Sequence, residues 1–288
     1  MTFSIVAWDP FAGPEWGVAV ASKFLAVGAI APWAKAGVGA VATQALANVA
    51  YGPEGLAHLH AGRDASTTLA ALLADDELRS HRQVGIIDAR GETATHTGAD
   101  CMDWAGGKIG MGYACQGNIL TGPEVVEAVS GAFETSQGSL ARRLLAALAA
   151  GDASGGDRRG RQSAAILVVR AGGGYAGGSD VAVDLRVDDH ADPMAELDRL
   201  LGVHELLFPN PVALEWVEIK APLPARIRRA LNARGLDTGK GKGYSDDLRE
   251  ALYRWVAMEN LEERWSSEPR IDKVVLDLLL AADPGPLH

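Results

Sequence analysis

Met1-Thr2-Phe3-Ser4-Ile5-Val6-Ala7 opens the chain with a hydroxyl residue that leads straight into a strand-like apolar run. A threonine that becomes the first residue of a mature chain carries two reactive groups. Its Oγ1 is a nucleophile, and its own α-amine, with a reference pKa of about 8, is a base. The Thr2 side chain is small enough for methionine aminopeptidase, so removal of Met1 is expected. Residues 2–8 and 16–23 both read as strands. Asp9-Pro10-Phe11-Ala12-Gly13-Pro14-Glu15 joins them, and its Pro and Gly residues make this a long-turned hairpin.

Working outward, two more short apolar segments follow at Val27–Pro32 and Gly39–Gln44. Helical spacing takes over at Pro53–Ala61 and Ala65–Leu73, with Asp64 placed to cap the second helix. Residues 83–89 and 92–98 form a hairpin around Ala89-Arg90-Gly91. A strand near Gly112–Gln116 precedes helices at Pro123–Glu134 and Leu140–Ala150. Strands at 163–170 and 181–188 and a helix at Pro193–Leu206 come next. Hairpins with helices arriving in pairs predict a layered α/β/β/α or α+β sandwich rather than alternating βαβ units. Phe208-Pro209-Asn210-Pro211 marks a domain boundary, giving domains 1–207 and 208–288. The second domain is expected to be small and all-helical, with helices at Pro224–Arg234, Asp246–Val256 and Ile271–Leu280.

Composition narrows the function. A formal net charge of -10 argues against a general nucleic-acid binder, which needs a cationic face. No apolar run is long enough for a membrane helix, and no basic start before an apolar stretch marks a signal peptide. A cytoplasmic protein is therefore expected, with Cys101 and Cys115 read as reduced packing residues and a disulfide between them as the alternative. The seven histidines form no metal-binding array, so neither a metal nor a cofactor is expected. Gly37-Val38-Gly39-Ala40-Val41-Ala42 matches a dinucleotide fingerprint, but Val41-Ala42-Thr43 continues as a strand where a helix is required.

Several strings have the chemistry of a site. Gly155-Gly156-Asp157-Arg158-Arg159-Gly160-Arg161-Gln162-Ser163 is a charged loop at a strand mouth. Asp157 and Arg158 read either as a pair that orients a nucleophile or grips a carboxylate, or as a solvated turn. Gln116-Gly117-Asn118, between a strand and a helix, reads as an oxyanion site or as an ordinary turn. Ser22-Lys23 ends the strand beside the first, where a lysine would lower the pKa of a terminal amine; the alternative is a solvated lysine. Thr43-Gln44 ends another strand at the same edge.

The first strand, together with Ala19–Phe24, Gly37–Gln44, Gly155–Ser163 and Asp184–His190, resembles the bacterial family catalogued as domain of unknown function 1028 over about residues 1–206. That family is placed with the N-terminal-nucleophile (Ntn) hydrolases, which implies a four-layer αββα sandwich. The resemblance implies an amidohydrolase in which Thr2 Oγ1 attacks a small amide or peptide-like bond, assisted by its own amine. Asn118 and a backbone N–H would hold the oxyanion, and Lys23 and Asp157 would support catalysis. Ser22, Thr43, Gln44, Gln116, Arg158, Gln162 and Ser163 would line the substrate site. The tail is similar to peptidoglycan-binding modules, which implies a cell-wall glycan partner; a packing or oligomerisation element is the competing reading. Two further classes stay open: a catalytically silent scaffold, and a nucleotide binder using the Gly-rich loops. A homodimer is expected from the exposed apolar edges.

Overall fold

The computed structural model describes residues 2–281 except Ala12, Pro211 and Val212, so Met1 and its removal lie outside the described residues. The chain divides into two compact units, Met1–Leu201 and Gly202–His288. The division falls inside a helix, Pro193–Leu207, a few residues before the Pro-rich break.

Two antiparallel sheets form the centre of the first unit. The larger is built from β1 (Thr2–Asp9), β2 (Glu15–Ser22), β7 (Gly106–Gly110), β8 (Tyr113–Asn118), β9 (Ser163–Val169) and β10 (Val181–Val187). Its strand order is β10-β9-β2-β1-β8-β7. The smaller runs β3 (Pro32–Lys35), β4 (Gly39–Ala45), β5 (Arg82–Asp88), β6 (Thr93–Thr97). Strand alternation sorts the side chains into layers. Phe3, Ile5 and Ala7 point outward from the larger sheet, into a core shared with Val125, Val129, Leu140, Leu144 and Leu148. Those residues belong to α3 (Glu124–Thr135) and α4 (Leu140–Ala153); Met194, Leu197 and Leu201 of α5 (Pro193–Leu207) join the same core. Val41, Val84 and Ile86 point outward from the smaller sheet against Tyr51, Leu59, Ala65 and Leu72, which lie on α1 (Tyr51–His60) and α2 (Ala65–Ala74). Between the sheets lie Val6, Trp16, Val18, Ala40, Ala42, Ile87, Ala114 and Val169. The result is α+β, a four-layer αββα sandwich.

The local signals behave as their chemistry requires. Asp64 caps α2 by accepting from the Thr67 N–H at 2.6 Å, and Ser139 caps α4 through the Arg142 N–H at 3.3 Å. Two local features go beyond the sequence reading. Val27–Ala29 is a 3-10 turn and the strand begins at Pro32. The short strand β7 was not foreseen: its sequence, Gly106-Gly107-Lys108-Ile109-Gly110, is glycine-rich and has one apolar side chain.

The second unit packs α6 (Leu223–Ala233), α7 (Asp246–Met258) and α8 (Lys273–Leu280) around Ile227, Leu231, Leu248, Leu252, Trp255, Val275 and Leu279. The expected all-helical make-up is corrected: a two-stranded ribbon, β11 (Trp216–Glu218) with β12 (Arg270–Asp272), accompanies the helices. Ile271 is in this ribbon. α8 therefore starts after it, capped by Asp272, whose carboxylate accepts from the Val274 and Val275 N–H groups and pairs with Arg264 at 2.9 Å.

Candidate functional site

The β-ladder registers place four polar residues in one row across the larger sheet. Asn118 stands opposite Thr2. Continuing the β1–β2 register one step past Phe3 and Ala21 sets Thr2 against Ser22, which in turn stands opposite Ser163. Residues in register share a face, and this row faces the smaller sheet, like Val6 and Val18 further along the same strands. One row deeper stand Gln116 and Ser4, again opposite one another. The smaller sheet answers with Gln44 opposite Gln83 and Gln83 opposite Thr97. The space between the sheets is thus polar at the Thr2 end and apolar beyond it.

A closed hydrogen-bond network fills that polar end. Thr2 Oγ1 lies 3.0 Å from Ser22 Oγ. Gln44 Nε2 donates to Gln83 Oε1 at 2.7 Å and to the Thr2 carbonyl at 3.3 Å. Asn118 Nδ2 donates to the same Gln83 Oε1 at 2.9 Å and to the Thr2 carbonyl at 3.5 Å. Gln83 Nε2 donates to the Gly117 carbonyl and to Thr97 Oγ1. Deeper in, Ser4 Oγ donates to Gln44 Oε1 and accepts from Gln116 Nε2, both at 2.6 Å, while Gln116 Oε1 accepts from Thr95 Oγ1. Buried amides are tolerable only when satisfied in this way. Gly85 makes room for it, since a Cβ there would stand 2.3 Å from Gln116 Oε1. Thr2 itself is buried, 7% exposed.

The remaining predicted site residues fall elsewhere. Thr43 follows strand alternation to the opposite face from Gln44, where its Oγ1 donates to the Asn48 carbonyl. Asp157 is buried and acts as a clasp. Its carboxylate accepts from the backbone N–H of Lys23 at 2.7 Å and from that of Arg159 at 2.9 Å, and it pairs with the Arg159 guanidinium at 3.4 Å. The pairing expected with Arg158 is thus found with its neighbour; Arg158 donates to the Asp103 carbonyl at 2.6 Å. Lys23 is exposed and its ammonium donates to the Arg161 carbonyl at 3.2 Å, a geometry that ties two rim loops together. Ser163 Oγ donates to the Phe24 carbonyl and accepts from the Val27 N–H, while Gln162 Nε2 reaches Asp189 Oδ1 at 3.1 Å.

Sequence reasoning missed Gln83 and Ser4. Ser4 stands between Thr2 and Val6 on the inward face of β1, and Gln83 shares the inward face of β5 with Gly85 and Ile87; a polar residue at a core-facing strand position is the signal which could have found them. It also missed the ion pair that fixes the start of β5. Arg82 Nε lies 2.8 Å from Asp76 Oδ2, Tyr51 donates to the same oxygen at 2.7 Å, and Arg82 also donates to the Leu46 carbonyl. The Arg82 guanidinium, followed by the Tyr51 hydroxyl and the Leu78 N–H, holds the Asp76 carboxyl well below its usual range. Burial, then the Asp76 hydrogen bond, pushes the Tyr51 phenol up. The two cysteines are free thiols, and burial raises Cys115 to about 12. Among the described residues, no three His, Cys, Asp or Glu side chains group closely enough to hold a metal ion, and no helix is long and apolar enough to cross a membrane.

Fold and site together define an αββα protein whose inter-sheet layer ends in hydroxyls and amides around Thr2. Residues 2–197 match the model of a family of unknown function, DUF1028, and the chain belongs to that family. Residues 217–279 match a second model, described as "Putative peptidoglycan binding domain". The crystal structure of a DUF1028 protein from Silicibacter pomeroyi is similar to this chain, with 32% identity and a TM-score of 0.65, over 71% of this chain and 89% of that one. Among curated proteins, none matches the chain.

Proposed function

We propose that the first unit is an N-terminal-nucleophile amidohydrolase of the Ntn type, acting on a small amide or peptide-like bond once processing has freed the Thr2 amine. One observation carries the reading: Thr2 heads the central strand pair of a two-sheet sandwich, with its Oγ1 3.0 Å from Ser22 Oγ and its carbonyl held by the amides of Gln44 and Asn118. In the proposed reaction the α-amine takes the Oγ1 proton as the oxygen attacks the carbonyl carbon, and a donor faces the oxygen that gains charge. The amine leaving group takes that proton, and water then hydrolyses the acyl-threonine ester. Exposed apolar residues on the loops that leave the sheets at this end, Phe24 after β2, Leu46 after β4 and Met102 before β7, suit a substrate with an apolar flank. Comparing wild type with Thr2→Ala on a panel of small amides tests the proposal. It fails if the variant folds and turns over as fast as wild type.

A second reading is a catalytically silent scaffold. It is favoured by the amide of Asn118, whose two N–H bonds already have acceptors in Gln83 Oε1 and the Thr2 carbonyl; an oxyanion role requires one of them to be released. On either reading we propose that the second unit binds cell-wall glycan, supported by the family match at 217–279.

A further inference from the structure

The charge of the chain is unevenly placed. Against a formal total of -10, the stretch from Ala221 to Lys242 carries six Lys or Arg residues and a single acid, Asp237. This stretch is α6 and the loop that follows it, and they border a surface cavity of about 450 Å³ lined by Ala225, Arg228, Arg229, Asn232, Gly241, Lys242 and Gly243. Among the described residues, no carboxylate lines it.

Two of its cations have different work from the third. Arg228 is spent on the protein. Its guanidinium donates to the carbonyls of Thr238, Gly239 and Gly243 and to Ser245 Oγ, which fixes the Gly-rich loop against α6. That loop needs its glycines: Gly239 has φ +64, and a Cβ there would stand 2.1 Å from Asp247 Oδ2. Arg229 and Lys242 are exposed and both line the same cavity. Asn232 accepts through Oδ1 from Thr238 Oγ1 at 2.8 Å, which leaves its Nδ2 as a further donor. A rigid guanidinium fork, an ammonium and an amide N–H around one hollow form a donor set for a carboxylate.

Resting on the reading that the second unit binds cell-wall glycan, we infer that this cavity takes the free carboxylates of the peptide stems that peptidoglycan carries. Peptidoglycan has no phosphate in its repeating unit, and its negative charge is the carboxylate of those stems. The cavity therefore reads the peptide, and the stem's amidation state sets the affinity.

Calorimetric titration of the full chain with a soluble disaccharide–tetrapeptide fragment tests this, beside the same fragment with its stem carboxylates amidated. Amidation, and separately the double variant Arg229→Ala/Lys242→Ala, should each weaken binding at least tenfold, and rising salt should weaken the free-acid complex. Arg254→Ala, a cation on α7 paired with Glu250, should bind like wild type. The altered side chains are exposed, so an unchanged melting temperature identifies the double variant as folded. Equal affinity for the amidated fragment, or for the double variant, overturns the carboxylate assignment while leaving glycan binding intact. Displacement of the fragment by polyphosphate or a DNA oligonucleotide of higher affinity overturns it as well. If wild type binds neither fragment nor insoluble peptidoglycan, the glycan reading falls and takes this inference with it.

Discussion

Gln83 Oε1, on the smaller sheet, lies 2.9 Å from Asn118 Nδ2 on the larger one. This bond crosses between the sheets at the level of Thr2, and the same oxygen also accepts from Gln44. One glutamine therefore sets the position of both amides that reach the Thr2 carbonyl. Gln83→Leu keeps most of the volume and removes all of these bonds: Gln44 Nε2 keeps the Thr2 and Gln116 carbonyls, but one buried N–H of Asn118 loses its acceptor, and Thr97 Oγ1 and the Gly117 carbonyl lose the Gln83 donor. Unmet buried donors and acceptors cost about 1–3 kcal/mol each, so a loss of about 2–4 kcal/mol in urea unfolding is expected. An unchanged midpoint would show that the network contributes nothing to the fold.

The contact between Gln116 and Gly85 separates two kinds of glycine. Gly85→Ala brings a Cβ within 2.3 Å of Gln116 Oε1 and should cost about 1–3 kcal/mol through overpacking. Gly131, inside α3, has nothing within 4 Å of its would-be Cβ. Gly131→Ala should instead raise stability by up to about 1 kcal/mol, from helix propensity. Thermal melts of the two variants should move in opposite directions.

The Asp76–Arg82 pair makes stability fall on the acid side. Its partners lower the carboxyl's pKa in the folded state. The stabilisation is therefore fully present above the unfolded value of about 3.9 and is lost as pH falls below it toward the folded value. Asp76→Asn should be clearly less stable than wild type at pH 7, and the gap should close below about pH 4. A gap that stays constant to pH 2.5 contradicts this account of the pair.

Asp157 fastens the exit of β2 to the loop before β9. Asp157→Ala should speed amide hydrogen exchange at Lys23 and Arg159, whose N–H groups lose their acceptor, with little effect on the α3–α4 core. Protection at those two amides equal to that of wild type would remove the clasp role.

Much of the fold was legible because it rests on local periodicity. The opening hairpin, the paired helices and the Asp64 cap each follow from a few adjacent residues. The site was legible in part. Thr2 begins a strand, Ser22 and Asn118 end strands, and Gln44 and Gln116 lie within two residues of a strand end. Gln83 escaped because its importance comes from pairing with the other sheet, a contact between residues 35 positions apart that no local pattern encodes. Arg158 is the sequence neighbour of Asp157, yet the acid pairs with the Arg159 guanidinium. Glycine-rich β7 was hidden for a simpler reason: with so few side chains, its only signal is the ladder it makes with β8.

The central claim is that Thr2 is a nucleophile, and the intact mass of the purified protein before and after exposure to a β-lactone tests it most directly. A strained lactone acylates an activated hydroxyl and adds its whole mass to the chain. The account predicts a starting mass with Thr2 as the first residue, then a single adduct that maps to Thr2 and disappears in Thr2→Ala. A blocked Thr2 amine, or a free one that gains no adduct, would contradict it.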